Sequence, residues 1–448
     1  ASSHTGALSG EDEAFEVAFK EAGIIRAKTV AEAFEMARGF SSGKLPKGEK
    51  VLLVTNAGGA GIMATDACED YSIKLTSLSE NTVARLKERL PEASSISNPL
   101  DILGDAEPER FEFTLKEVLS DTNVDVVVVI LTPQITTRPA EVALKLKEIS
   151  ENSQKPILCC FMGGEIVDPA ISILNKAKIP NYKDPDAMAR VLRGMINYTA
   201  RLRQKEEEKA EKIKVEKHRA EKILLSEKNK GNFYIGGLKA LEIMKAYRIP
   251  VVESYLARTV EEALELTHKM KEPFVLKIES AEIVHKSDVG GVKVGVRKDQ
   301  VENAFSEIME KARKVVKDRE KIEGILVQPL IKWGREMLIG AIQDSTFGHL
   351  IRFGLGGKYV ELFRDFSTRL VPLSREKAKK MIEETKIASK FLQGFRDEPA
   401  ADAEIVIDCL LRLSQLVLDF PWIQEIEANP LVVWEKGGVV IDARIKIS

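Results

Sequence analysis

Four short apolar runs, at residues 50–55, 73–75, 124–131 and 156–161, punctuate the first two hundred residues and read as strands. Helical periodicity fills the spaces between them, beginning at residues 62–70 after a tight glycine turn. Strands this apolar, each followed by a helix, predict an α/β architecture: a parallel sheet covered on both faces, with its ligand at the carboxyl ends of the strands. Ahead of them, residues 11–22 read as an amphipathic helix ended by Gly23, 24–27 as a short strand and 30–38 as a second helix. That is half of an α/β unit with no earlier strands to complete a sheet, so the chain is expected to be a fragment or to work with a partner. Residues 201–230 carry dense charge of mixed sign and read as a solvated helical linker. Beyond Gly236 the α/β pattern resumes, with helices at 238–246, 260–270, 299–318 and 401–420. Strands are expected at 274–278 and 292–296, an antiparallel pair at 325–330 and 335–341, and a closing sheet from 422–430 and 438–444.

A length of 448 residues allows about three domains, each large enough for its own core. The net charge of −2, with 30% charged residues, gives no bulk attraction for nucleic acid or membrane. Cys68, Cys159, Cys160 and Cys409 are sparse, and the adjacent pair lies in an apolar run, which suits buried reduced thiols. The first residues form no basic-then-apolar leader, and the longest apolar run is far shorter than a membrane span. A cytoplasmic protein is expected.

Candidate chemistry concentrates at residues 273–295. Lys277 sits inside an apolar strand, where it is costly unless an anion meets it, and a phosphate is the natural partner. Gly290 and Gly291 make a turn whose N–H groups could approach that anion, and a hairpin with a surface lysine and His285 is the plainer alternative. Glu427 and Asn429, two apart on one strand, share a face, and Asp442 on the next strand can oppose them. Two carboxylates and an amide oxygen suit Mg²⁺ carrying nucleotide phosphates. The turn from Asn56 through Gly58, Gly59 and Gly61 opens a helix, and a helix N-terminus attracts phosphate.

Taken in order, these pieces resemble the ADP-forming (NDP-forming) acyl-CoA synthetases, relatives of succinyl-CoA synthetase. Residues 231–448 look like that family's ATP-grasp domain, through Leu-Lys-Ile-Glu-Ser, His285-Lys-Ser-Asp-Val-Gly-Gly-Val, Val327-Gln-Pro, Phe353-Gly-Leu-Gly-Gly and Glu425-Ile-Glu-Ala-Asn-Pro-Leu followed by Asp442-Ala-Arg. Residues 46–200 are similar to its flavodoxin-like ligase domain, through Thr55-Asn-Ala-Gly-Gly-Ala-Gly and Ser97-Asn-Pro-Leu-Asp-Ile-Leu-Gly-Asp. Residues 1–45 resemble the end of the preceding flavodoxin-like domain, and 201–230 would link the two halves.

The resemblance implies roles for matching positions. His4, in Ser3-His4-Thr5-Gly6, would be the phosphorylated histidine, and His285 a second histidine that relays phosphate. The helix after Asn56 would face the phosphohistidine, with Asn98 and Asp101 on a neighbouring loop. Lys277 and Glu336 would lie at the nucleotide, Val327 and Gln328 at the adenine hinge, and Arg369 at phosphate. Mg²⁺, ATP or ADP and coenzyme A would be the cofactors, most of the CoA site lying outside this chain. The reaction would be acid + CoA + ATP ⇌ acyl-CoA + ADP + phosphate, through an acyl phosphate and a phosphohistidine. The acid would be short-chain or hydroxylated, in the class of acetate, propionate, 3-hydroxypropionate or 4-hydroxybutyrate. The partners would be these small molecules, a missing N-terminal CoA-binding domain or chain, and identical copies in a homo-oligomer. This sequence departs from the family in lacking the CoA-binding Rossmann domain and the glutamate that partners the phosphohistidine. The chain alone should therefore bind ATP or ADP without making acyl-CoA. A succinyl-CoA synthetase proper, an ATP-grasp carboxylate–amine ligase and a regulatory module sensing nucleotide or acyl-CoA are the rival readings.

Overall fold

The computed structural model describes residues 11–204, 212–280, 282–283, 286–357, 360–396 and 398–448. It forms two compact units, Phe19–Glu207 and Glu208–Ser448, the latter together with the chain's first residues as far as Ala18.

In the unit Phe19–Glu207, strands β1 (Val51–Thr55), β2 (Leu100–Asp101), β3 (Val126–Leu131) and β4 (Ile157–Phe161) form a parallel sheet in the order β2-β1-β3-β4. Alternation along each strand sends side chains to two separate cores. Leu52, Val54, Val127, Val129 and Cys159 meet the helices Pro108–Ser120 and Pro139–Asn152 on one face. Val51, Leu53, Val128 and Cys160 meet Gly58–Asp70 and Pro185–Gln204 on the other. All four cysteines are buried free thiols, and burial pushes Cys160 up to about 12. Residues 24–27, expected as a strand, have no regular structure.

The unit containing Glu208–Ser448 holds two antiparallel sheets. One comprises β5 (Tyr234–Gly236), β10 (Arg335–Asp344), β11 (Gly348–Leu355), β12 (Phe366–Leu370), β13 (Ile423–Val433) and β15 (Ala443–Ile447), in the order β12-β11-β10-β13-β15-β5, with β14 (Gly438–Val440) beside β13. The other is β6 (Tyr255–Ala257), β9 (Ile322–Pro329), β7 (Phe274–Ser280) and β8 (Val292–Val296), in that order. The expected pairing of 325–330 with 335–341 is therefore wrong. β9 pairs with β6 and β7, while β10 lies in the other sheet between β11 and β13. Both segments are apolar and adjacent in sequence, but their partners are set by long-range register that local pattern does not encode. The charged stretch expected as a linker is helical over Lys217–Asn229, and its Ala220 and Leu224 are fully buried in this unit's core. No helix among the described residues is long and apolar enough to cross a membrane.

Buried Asp121 ties the connections of the parallel-sheet unit together. Its carboxylate accepts from Ser79 N (2.8 Å), Ser79 Oγ (2.9 Å) and Asn123 N (2.8 Å), and Ser79 in turn caps the helix Glu80–Arg89. Burial alone would raise its pKa, but these donors outweigh burial and hold it below the usual carboxylate value. A carboxyl depressed on folding adds stability above its unfolded pKa, and that stability is lost as pH falls through the folded value. Asp121→Asn is expected to cost about 1–3 kcal/mol at neutral pH, from the lost charged hydrogen bonds. It should also flatten acid destabilisation below about pH 4. Thermal unfolding across pH checks both.

Candidate functional site

Lys277 is held on a strand whose two faces differ in kind. Phe274, Leu276 and Ile278 point into an apolar core with Val327, Ile325 and Phe305. The intervening Val275, Lys277 and Glu279 point the other way, and the register places Gln328 beside Val275 on that second face. Across from them lies the approach to β15: Lys277 Nζ donates to Ile441 O at 3.3 Å, and Gln328 Nε2 reaches the same carbonyl at 3.5 Å and Ser254 Oγ at 2.8 Å.

The charges on this face are coupled. Lys286 Nζ is 2.8 Å from Glu279 Oε2, with both side chains buried. Burial lowers the Lys277 pKa, against the pull of the Asp442 carboxylate. At Lys286 burial acts in the same sense, but Asp442 and Glu279 overcome it and the ammonium is held above its ordinary value. Burial likewise opposes ionisation of Asp442, yet Lys286, Lys277 and Arg444 hold its carboxyl low. Glu279 is pushed up by burial, more than Lys286 offsets. Its carboxylate also lies where only glycine fits: a Cβ on Gly237, whose φ is +51°, would fall within 2.2 Å of both carboxylate oxygens. The charged face opens onto a cleft lined by Tyr234, Lys239, Glu279, Lys286, Asp442 and Arg444.

Gln328 carries an unusual polar atom. The residue is 1% exposed, and its Oε1 has no hydrogen-bond partner among the described residues. Exchanging the amide's ends would not help, because it would set oxygen against the Ile441 carbonyl. A buried acceptor left open beside a buried lysine fits a ligand that brings a donor and an anion together.

The expected metal ligands come together in part. Asn429 N donates to Asp442 O at 3.2 Å, so the two residues do oppose each other, with Glu427 on the same strand. Asn429 Oδ1, however, accepts from Gly357 N at 2.8 Å, and its Nδ2 faces Glu427 Oε1 at 3.4 Å. Among the described residues no three His, Cys, Asp or Glu side chains group as a metal site. What remains is two carboxylates, which fits a cation that arrives on phosphate rather than one caged by protein. Exposed Glu336 lies at the same glycine turn, its carboxylate beside Gly357.

Other expected residues are occupied differently. The Gly290 and Gly291 N–H groups donate to Ser287 O (3.0 Å) and Lys286 O (2.7 Å), so they close their own turn and do not line a phosphate cradle. A Cβ at Gly291 would meet Ile278 Cγ2 at 2.5 Å, which explains the glycine by packing. Val327 is buried in the apolar core and contributes main chain only. Arg369 is paired with Glu384 at 2.7 Å. In the other unit, the Asn56 side chain is spent on Thr132 N and O, and Asn98 bonds Leu53 N and the carbonyls of Val51 and Thr76. Gly58 and Gly59 begin the helix Gly58–Asp70, Gly58 beside Asp101 and Gly59 with open space where a Cβ would stand, while Gly61 packs against Thr55 and Pro99. His4 and His285 lie outside the described residues, although Ile283 and Lys286 on either side of His285 line the cleft. Glu279, Lys286 and Ser254 received no role from the sequence. The two-residue spacing of Lys277 and Glu279 was the available signal for the first.

Comparison with known proteins adds the lineage. Residues 227–447 match the ATP-grasp domain family, 51–201 the Ligase-CoA domain and 1–40 the succinyl-CoA ligase-like flavodoxin domain. The chain is 40% identical over 446 residues to the ADP-forming acetate–CoA ligase I of Archaeoglobus fulgidus, covering 99% of this chain and 63% of that protein. It is 37% identical over 448 residues to the ADP-forming 4-hydroxybutyrate–CoA ligase of Nitrosopumilus maritimus, covering 99% and 64%. It is also 42% identical over 211 residues to the beta subunit of ADP-forming acetate–CoA ligase II of Pyrococcus furiosus, covering 46% of this chain and 89% of that subunit. The chain thus spans less than two thirds of the first two relatives. From its domain order and its likeness to these proteins, the chain belongs to the ADP-forming acyl-CoA synthetase family.

Proposed function

We propose that this chain is the nucleotide-using and ligase part of an enzyme catalysing acid + CoA + ATP ⇌ acyl-CoA + ADP + phosphate. The observation that supports this reading most directly is the pair of buried lysines, Lys277 and Lys286, held by Asp442 beside the open acceptor of Gln328. Lys277 and Lys286 neutralise charge on the transferring phosphoryl group, and Gln328 Oε1 accepts from the amino group of adenine. Glu427 and Asp442 would hold the Mg²⁺ that accompanies the nucleotide, which supplies further neutralisation of the phosphate oxygens. A neutral imidazole nitrogen of His285 or His4 attacks the γ-phosphorus, an N–P bond forms, the P–O bond to ADP breaks and the ring proton leaves. The phosphohistidine then passes its phosphoryl group to a carboxylate oxygen of the acid, so that the N–P bond breaks and an acyl phosphate forms. In the whole protein the thiol sulfur of coenzyme A attacks the acyl carbon, loses its proton and expels phosphate. The relatives act on acetate and 4-hydroxybutyrate, so a short-chain or hydroxylated acid is the substrate class proposed. A missing CoA-binding part, assembly of identical chains and a cytoplasmic setting complete the reading.

Intact mass after incubation with Mg·ATP tests it. A gain of one phosphoryl group, lost in mild acid and mapping to His285 or His4, is expected; measurable ATP binding without any gain would point to a sensor of nucleotide. In the whole protein, turnover that survives His4→Ala would overturn the phosphohistidine route.

Two variants probe the nucleotide contacts. Lys277→Met is expected to weaken Mg·ATP binding about 10- to 100-fold, the value of a charged hydrogen bond, while thermal stability holds because a costly buried charge is removed. Gln328→Met is expected to weaken Mg·ATP about tenfold but to leave inosine triphosphate, which lacks the amino donor, nearly unchanged. Calorimetric titration reads both.

A further inference from the structure

Helix Glu11–Ala22 begins shortly after the Ser3-His4-Thr5-Gly6 segment, and its first turns belong to the unit that carries Lys277. The contact is specific. Glu13 Oε2 accepts from Arg352 at 2.8 Å, and Glu13 Oε1 accepts from Thr368 Oγ1 at 2.7 Å. Arg352 on β11 and Thr368 on β12 are directly paired across those strands, so their side chains share one face and present two donors to one carboxylate. Arg352 is the largest fully buried side chain among the described residues, 1% exposed and set over the Phe366 ring. Two residues along the helix, Phe15 meets Phe347 edge to face with ring centroids 5.0 Å apart, and Ala14 and Ala18 are buried. A carboxylate seated on a desolvated guanidinium is far stronger than a surface ion pair. It is also more than a short helix needs for its own stability.

We propose that Glu13 is a positioning residue: seated on Arg352 and Thr368, it docks the helix that follows His4 onto the seven-stranded sheet and so sets where His4 is delivered. His4 lies nine positions before Glu13, so a fixed Glu13 confines the imidazole to within about 30 Å of the clasp at full extension. Without the clasp the same imidazole would have to find the nucleotide from a far larger volume. The delivery role rests on the phosphohistidine reading above; the docking does not.

Two measurements on this 448-residue chain separate them. Amide hydrogen exchange at residues 14–18 reads the docking. Glu13→Gln keeps the shape but removes the charge, and is expected to speed exchange there about 30-fold, as for loss of one partner of a buried charge pair. Thr368→Val, which removes the second donor from the other strand, should act in the same direction, and Glu13→Asp should restore part of the protection. Phosphoryl transfer from Mg·ATP to His4, followed by site mapping, reads delivery. Its rate is expected to fall about tenfold in Glu13→Gln with Mg·ATP affinity unchanged, a split that a general loosening of the fold would not give. Unchanged exchange at 14–18 in Glu13→Gln overturns the docking. Faster exchange with undiminished labelling of His4 overturns the positioning role. A parent chain unlabelled at His4, in which Glu13→Gln still loosens 14–18, overturns the delivery role while establishing the docking, and one unlabelled at His285 as well overturns the phosphohistidine reading.

Discussion

A lysine kept charged inside a protein must be met by an anion, and two such lysines side by side must be met by more than one. Lys277 and Lys286 impose that condition on the two-sheet unit. Glu279 answers from the same strand as Lys277, and Asp442 answers from the approach to β15 in the opposite sheet. Counting Arg444, three cations share two carboxylates at the centre of the cluster, and burial pushes Glu279 toward its neutral form. The inner face is therefore short of negative charge, the state in which an arriving phosphate is most welcome. Farther out the balance returns, because Lys230 and Lys239 are matched by Glu227 and Glu323. The cleft is selective by depth: neutral at its rim, positive within.

Much of this architecture was readable from pattern. The apolar runs at 50–55, 124–131 and 156–161 became β1, β3 and β4 because a run buried on both faces has few other fates in an α/β chain. The hairpin of 274–278 with 292–296 was equally plain, since glycines mark its turn. Lys277 declared itself by being a charge where every neighbour is apolar. Asp442 was found opposite Asn429 because strand alternation and a short connection left few registers available.

What stayed hidden depends on distance along the chain. The partners of β9 and β10 are chosen by strands more than forty residues away in one case and about ninety in the other. Glycines at 290 and 291 look alike whether their N–H groups face a ligand or close their own turn, and here they close it. Asn56 looks like a ligand-binding residue for the same reason that it makes a good main-chain clamp: its amide offers a donor and an acceptor to the main-chain O and N of one residue, Thr132. The charged stretch at 201–230 concealed Ala220 and Leu224, two apolar positions four apart that are enough to anchor a turn of helix in a core.

The approach of Glu279 to Gly237 carries a consequence for how this sequence can drift. Any side chain at 237 would collide with the carboxylate, and any retreat of the carboxylate would abandon Lys286. The two positions, forty-two residues apart, are thus locked: neither can vary first without harm. A lineage that gave up the buried glutamate would at once free position 237 to accept a side chain. Among relatives of this chain, residues at the two sites should travel as a pair, a record of the cluster written in sequence alone.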